Sequence, residues 1–333
     1  MMKVIVTGGL GFIGCNFIKY ILQSHNEEYK ILNIDSVTYA ANQSLIPEFE
    51  RFINYDFQKT DITSQKEVRK IFSSFSPDLI INFAAESHVD NSITKSAEFI
   101  NTNIIGTHIL LEESRRYLEK SDKVDSFKFI QISTDEVYGS LSITDPSSCE
   151  NSNYKPNSPY SASKASADHL TSSWFRTYGL PSIITHSSNN FGPYQHKEKL
   201  IPKIIDNYIN NKKIPIYGDG KNIRDWIFVS DNVKALLTIM KLGEPGEIYN
   251  IGGDNELTNL ELVSKICDSI KKIYPDKDLA TLSDAVEFVE DRPGHDFRYS
   301  MNSDKLNKLS NSPYLSNFED SIVETIKWYV EVE

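Results

Sequence analysis

Cysteine is scarce in this chain, and the three present, Cys15, Cys149 and Cys267, are odd in number and far apart. With no CxxC pair and no Cys/His cluster, neither a disulfide framework nor a metal site is indicated. Long apolar runs are missing as well. Nothing approaches the stretch of about 18 apolar residues that reads as a membrane span. The opening Met1–Val6 segment is one short strand that runs straight into glycines, too short for the apolar core of a signal peptide. A reducing cytoplasm is therefore the expected location. Positive charge is also in deficit: 35 Lys and Arg face 46 Asp and Glu, a net charge of -11. With no basic run, this balance argues against nucleic acid and anionic membranes as partners. Only eight of the cations are arginines, and Arg224, Arg292 and Arg298 all fall in the second half. An anionic ligand has to be met by a few local cations such as these.

What is present is an ordinary globular balance, 39% hydrophobic over 333 residues, enough for a large core and about two domains. Val4–Val6, Ile31–Ile34, Phe52–Tyr55, Leu79–Phe83 and Phe127–Ile132 read as strands. Amphipathic stretches at 12–23, 64–75, 96–118 and 160–178 read as helices. Continuous apolar runs, in place of alternating ones, are what strands buried on both faces require. The expected fold is therefore α/β: a doubly wound parallel sheet of Rossmann type with a smaller mixed α/β domain. Ser187–Tyr194 reads as loop. Further helices are expected near 200–211, 231–241 and 258–273. The expected division is 1–186 plus 225–252 for the first domain and 187–224 plus 253–333 for the second.

Gly8, Gly11 and Gly14 stand at GxxGxxG spacing between the first strand and the first helix. Glycine there permits a tight turn and close backbone approach to a pyrophosphate, and the helix N-terminus offers amide donors. Asp35 ends the second strand, where a carboxylate can accept from an adenosine ribose and repel a 2′-phosphate. That favours NAD over NADP. The plain alternative is a glycine-rich turn without ligand.

Tyr160 and Lys164 are four apart, so a helix puts them on one face. A lysine ammonium there can lower the tyrosine pKa, and the phenolate can take a hydroxyl proton as hydride leaves. The spacing alone carries little, since Tyr55/Lys59, Tyr208/Lys212 and Tyr217/Lys221 share it. Ser158-Pro159 before Tyr160, and Ser133-Thr134 at the end of a strand, single out this pair. Asp135 and Glu136 follow at once; by themselves they read equally as solvated loop acids or a helix cap.

Taken together and in register, these motifs resemble the dTDP-glucose 4,6-dehydratases, a branch of the extended short-chain dehydrogenase/reductase superfamily. The resemblance runs end to end. It includes TGGLGFIG at 7–14, AAESHVD at 84–90, STDEVYG at 133–139, SPYSASKA at 158–165, SNNFGPYQ at 188–195 and DRPGHDFRY at 291–299. It implies that Tyr160, with Lys164, deprotonates a sugar 4-hydroxyl while NAD⁺ takes hydride from C4. Thr134 would polarise the C4 oxygen, Glu136 would remove the C5 proton, and protonated Asp135 would release the 6-hydroxyl. Burial and the neighbouring Glu136 would keep Asp135 protonated. Asp135 is the discriminating residue, because related epimerases lack the Asp–Glu pair.

The resemblance further implies cofactor contacts at Gly8, Gly11, Phe12, Ile13, Gly14, Asp35, Thr38, Asp61, Ile62, Ala84, Ala85, Ser87, Thr102 and Ser133, besides Tyr160 and Lys164. For the sugar nucleotide it implies His88, Thr134, Asn190, Lys199, Leu200, Arg224, Asn259, Arg292, His295 and Tyr299. A homodimer packed through 96–118 and 160–178 is implied too. Arg298, with Asp296 and Asp304 nearby, reads as a surface ion pair. Several positions depart from the usual family residues: Asn91 and His186 where Arg is common, Ala41 where Gly is usual, and His196-Lys197 for Phe-Pro. These leave thymine against uracil, and the hexose, open. The readings that compete are a UDP-sugar dehydratase, an epimerase of the same superfamily, and a non-catalytic NAD-binding protein.

Overall fold

The first strand shows how the chain is layered. In a computed structural model describing residues 1–121, 123, 126–309 and 314–331, β1 (Met2–Thr7) is buried on both faces. Val4 and Val6 pack with Ile18, Ile21 and Leu236 on one side, and Ile5 with Ile71, Leu110 and Phe129 on the other. Alternate side chains of a strand point to opposite faces, so one continuous apolar run serves two cores.

β2 (Tyr29–Asp35), β3 (Tyr55–Lys59), β4 (Leu79–Asn82), β5 (Lys128–Thr134) and β6 (Ser182–Ser187) follow. After β7 (Asn189–Phe191), β8 (Ile214–Tyr217) and β9 (Ile223–Phe228), β10 (Ile248–Ile251) completes a seven-stranded sheet in the order β10-β6-β5-β4-β1-β2-β3. All its pairings are parallel. Strand order reverses between β1 and β4, and in such sheets the ligand crevice opens at this point, beyond the carboxyl ends. The Phe12–Ser24 and Val229–Leu242 helices cover one face; Gln65–Phe75, Thr107–Leu118 and Pro159–Tyr178 cover the other.

A smaller unit sits over the carboxyl ends. β7, β9 and β11 (Glu256–Thr258) form a three-stranded sheet, and β8 pairs with β12 (Val286–Val289). Its own core joins Phe191, Trp226, Leu262, Ile266 and Ile322. The expected second domain includes 310–313 and 332–333, which lie outside the described residues.

Two local expectations are corrected and one is refined. The third strand occupies Tyr55–Lys59, not Phe52–Tyr55; at the sheet edge it carries the polar Asp56, Gln58 and Lys59, which hid it from an apolar search. The helix expected over 96–118 runs between those bounds, but Ile100–Gly106 within it is wound as a π-helix. Within Ser187–Tyr194, Asn189–Phe191 is a strand, because β9 pairs alongside it.

Candidate active site

The loop after β1 is built for close approach to a ligand. Gly8 has φ 64°, and a Cβ there would sit 2.7 Å from the Ala84 backbone; one on Gly14 would sit 2.5 Å from the Gly8 carbonyl oxygen. Gly11 caps the Phe12–Ser24 helix without any side-chain acceptor, so the first-turn amides are left facing outward. A pyrophosphate fits this cradle. Asp35 at the tip of β2 accepts from Leu10 N at 2.9 Å and Val37 N at 2.7 Å, and burial raises its pKa.

These groups open on a cleft of about 450 Å³, within the range of small-molecule sites. Gly8, Gly11, Phe12, Ile13, Gly14, Asp35, Thr38, Asp61, Ile62, Ala84, Ala85, Ser87, Thr102, Ser133, Tyr160 and Lys164 all line it. The π-helical stretch has a part in this. It sets Asn101 and Thr102 on the wall while Asn103 turns inward, bonding both backbone groups of Glu86 and the Ser163 hydroxyl.

β5 ends at Thr134, whose hydroxyl accepts from Glu136 N at 3.3 Å and caps a 3-10 turn over Asp135–Tyr138. The turn places two successive carboxyls just beyond a buried strand. Asp135 is 3% exposed. Burial, then Glu136, then Asp225 raise its pKa well above the ordinary carboxylate range. Glu136 is raised by burial and opposed by Arg292, Arg224 and Lys199. The solvated-acid alternative does not fit Asp135.

Tyr160 stands in the first turn of the Pro159–Tyr178 helix, which begins with a reciprocal Ser158–Ser161 cap and ends at left-handed Gly179. Lys164 lies one turn on, and its Nζ donates to Ile132 O at 2.6 Å. Burial lowers Lys164 to about 8, with Asp168 opposing, and burial raises Tyr160 above its ordinary value, with Glu136 and Asp135 adding. The other Tyr/Lys pairs lack this geometry. Tyr55 and Lys59 are on a strand, Lys212 lies past the helix that holds Tyr208, and Tyr217/Lys221 spans a turn.

The second unit brings cations to the carboxyl side. Arg224, 6% exposed, donates to the carbonyls of Ile223, Asp296 and Phe297 and lies 4.3 Å from the Tyr299 ring centroid. Arg292 Nη1 bonds Asp90 Oδ1 at 3.1 Å, while its Nε is buried without a partner. His295 bonds Asp291 at 2.6 Å, and Lys199 Nζ donates to Ser87 O. His88 Nδ1 accepts from Asn91 N, leaving Nε2 3.7 Å from Glu198. Asn190 donates to Ser188 O and keeps a buried oxygen unpartnered.

Of the residues expected to hold sugar nucleotide, Lys199 lines the cofactor cleft; the rest stand outside its lining. Leu200 packs on the second core, and Asn259 opens the helix at Asn259–Ile273 with its amide bound to Asn222 O. Arg298 pairs with Glu256, not with Asp296 or Asp304, because an isolated bridge to Ile223 lays it beside β9 and β11. Sequence reading missed Glu198, which gathers Tyr39, His88 and His196, and Asp90, which bonds Arg292 and Tyr217. Asp90 lies inside the AAESHVD motif and Glu198 opens the EKLIP segment at 198–202 beside Lys199, so a signal existed for both.

Residues 5–322 match the family profile described as GDP-mannose 4,6 dehydratase. The chain is 49% identical to the dTDP-glucose 4,6-dehydratase of Haemophilus influenzae over 99% of its own length and 98% of the relative's. Among solved structures, the dTDP-glucose 4,6-dehydratase of Bacillus anthracis in complex with NAD superposes with a TM-score of 0.86 at 40% identity, covering 99% of this chain and 97% of that one. DesIV from Streptomyces venezuelae, a dTDP-glucose 4,6-dehydratase also solved with NAD, gives 0.90 at 38% identity with the same coverage. On full-length similarity of this order, the chain belongs to the dTDP-glucose 4,6-dehydratase family.

Proposed function

We propose that this protein is an NAD-dependent hydro-lyase that converts dTDP-glucose to dTDP-4-keto-6-deoxyglucose. The observation that carries the reading is the buried Asp135 carboxyl, raised in pKa beside Glu136, at the end of a strand that also presents Ser133 to the cofactor cleft. An oxidation alone, or an epimerisation, has no need of a buried neutral acid next to a second carboxyl.

The bound nicotinamide supplies a hydride acceptor that later gives the same hydride back. Tyr160 takes the proton of the 4-hydroxyl as the C4–H bond breaks, with the Lys164 ammonium lowering the cost of the phenolate. The Thr134 hydroxyl polarises the resulting C4 oxygen. The ketone acidifies C5, and Glu136 takes the C5 proton. Asp135 gives its proton to the departing 6-hydroxyl, which leaves as water. Glu136 returns its proton to C5 as C6 is reduced, and the enzyme resets when Tyr160 gives up the 4-hydroxyl proton to solvent and Asp135 takes one back. Arg224 and Arg292 hold the diphosphate, alongside Lys199, His295 and Asn190; His88 and Tyr299 face the sugar. In this reading residues 1–186 plus 225–252 serve the cofactor, and 187–224 plus 253–333 the sugar nucleotide, with β9 as far as Phe228 standing in the smaller sheet at the seam between the two.

A cytoplasmic homodimer completes the proposal. The exposed Ile93, Ile100 and Ile105, on and just before 96–118, support a helical dimer face, and no helix among the described residues is long and apolar enough to cross a membrane. The deciding experiment incubates the protein separately with dTDP-glucose and UDP-glucose and follows the product by NMR. A 6-deoxy methyl doublet from dTDP-glucose supports the reading. A doublet from UDP-glucose alone moves the substrate to uridine sugars, an epimer without a methyl signal makes it an epimerase, and no turnover with either sinks the assignment.

A further inference from the structure

Behind the Tyr160–Lys164 pair lies a buried polar cluster that the proposed mechanism does not use. Asp168 follows Lys164 by one helical turn and is 1% exposed. The two side chains dock on successive residues of β5. Lys164 Nζ donates to Ile132 O at 2.6 Å, and the Ser133 hydroxyl donates to Asp168 Oδ2 at 2.7 Å. The same Oδ2 lies 3.1 Å from His186 Nε2 and 3.4 Å from the Tyr154 hydroxyl. Its Oδ1 is sealed from solvent and has no hydrogen-bond partner. An anionic oxygen so enclosed has to be balanced by nearby cations.

Hydrogen counting on His186, which is fully buried, identifies one of them. Asn250 Nδ2 donates to the carbonyls of Ser148 and Asn302, which turns its Oδ1 toward the Tyr138 hydroxyl at 2.8 Å. Tyr138 has one proton to give, and that oxygen takes it. His186 Nδ1, 2.7 Å from the Tyr138 oxygen, is then the donor in that contact. Nε2 lies 3.1 Å from Asp168 Oδ2 and 2.9 Å from the Tyr154 hydroxyl. A second proton on Nε2, given to the carboxylate, makes the ring the cation that Asp168 calls for, with Tyr154 then turned to donate to Asp168. The opposite assignment, with Tyr138 donating to Nδ1, leaves Asn250 Oδ1 facing an acceptor with no proton between them.

We propose that Asp168, clamped by a doubly protonated His186, by Ser133 and by Tyr154, is a positioning residue whose buried negative charge keeps Lys164 an ammonium beside Tyr160. Asp168 touches no substrate and acts through Lys164. It is the charged group that bears on Lys164, and it also adds to the repulsion felt by a Tyr160 phenolate. The ionisable groups around His186 are Tyr138 from the turn after β5, Tyr154 from the loop before the helix, and Asp168 from the helix. His169 lies against Tyr154, and Glu150 and Cys149 bear on Tyr138.

The inference rests on the reading of Tyr160 and Lys164 given above, and its test keeps the two apart. Nitrogen-15 NMR of the histidine rings in the wild-type protein at neutral pH, with His186 assigned by comparison with His186→Gln, should show both nitrogens protonated. Asp168→Asn should lose on the order of tenfold in kcat with KM for the sugar nucleotide unchanged. Both limbs of its pH–kcat profile should move about one unit to lower pH, the scale of one neighbouring charge. A merely structural role would lower kcat without moving the limbs. A neutral His186 ring, or an Asp168→Asn profile superimposable on wild type, overturns the inference; the ring measurement stands even where Asp168→Asn does not fold. Tyr160→Phe assayed alongside reports separately: full activity there would sink the catalytic reading itself.

Discussion

The Thr134 hydroxyl donates to Asp135 Oδ1 at 3.2 Å, and the second carboxyl oxygen of Asp135 is buried with no hydrogen-bond partner. This division suits a general acid. One oxygen accepts from Thr134 until the C4 oxygen takes that hydroxyl's proton, and the other is left to carry the proton that burial and Glu136 keep in place. Asp135→Asn should therefore leave Tyr160 and Glu136 working but lose the step that releases water. In deuterated solvent the variant should exchange the C5 hydrogen of dTDP-glucose while forming 4-keto-6-deoxy product on the order of 10²–10⁴-fold more slowly. Glu136→Gln should lose exchange and product together. Normal dehydration by Asp135→Asn would remove it from the acid role.

The same residue should make function costly to stability. Because the folded-state pKa of Asp135 is raised, the native state binds more protons than the unfolded state once pH passes about 4, the unfolded aspartate value. Unfolding free energy then falls as pH rises toward the folded pKa, by up to about 1.4 kcal/mol per unit. Asn has no such term. The melting temperature of Asp135→Asn should exceed wild type by a margin that is small near pH 4 and grows toward neutrality. A margin that shrinks over that range would show that Asp135 is ionised in the native protein.

Arg224 and Arg292 should separate binding from folding. Arg224 satisfies three carbonyls from a buried position, so Arg224→Ala should weaken both sugar-nucleotide affinity and thermal stability. Arg292 makes one bond to Asp90 and keeps a buried Nε without a partner, suited to a phosphate oxygen. Arg292→Ala should weaken binding by roughly 1.5–3 kcal/mol, the scale of a charge-assisted hydrogen bond, and leave the melting temperature nearly unchanged. Calorimetric titration with dTDP-glucose and a thermal melt read the two effects. Unchanged affinity in both variants would take these arginines out of the site.

What the sequence disclosed followed from locality. β1, β2, β4 and β5 are apolar runs buried on both faces, and the glycine loop, Asp135-Glu136 and Tyr160/Lys164 are each contiguous or one helical turn apart, so their geometry was readable. β3 was displaced because an edge strand tolerates Asp56 and Gln58 on its surface. β7 exists only because β9, more than 30 positions later, lies beside it, and no local pattern marks that. The Arg298–Glu256 pair likewise depends on a pairing between distant strands. The Asp168–His186 contact was hidden for the same reason: packing of a helix on β6 unites them, and each residue alone looks like an ordinary polar position.

Cofactor choice turns on Asp35. Its two oxygens are tied to Leu10 N and Val37 N, and Val37 sits at φ 59°, a sparsely populated region for a β-branched residue. The carboxylate thus shapes the loop from below and presents its remaining lone pairs, and its charge, to the cleft that Ser36 and Thr38 also line. Asp35→Asn turns one acceptor oxygen into an NH₂ that opposes a backbone N–H, so either the Leu10 or the Val37 contact is lost. NAD⁺ affinity should fall by about 1–3 kcal/mol, the cost of leaving a buried polar group unpaired. Affinity for NADP⁺ should fall less, or rise, because the charge that repels a 2′-phosphate is gone. Titrating the apo-protein with each dinucleotide by calorimetry gives the ratio directly. If the preference for NAD⁺ is as strong in the variant as in wild type, the discrimination resides elsewhere in the loop, and Asp35 serves only to hold Val37 in place.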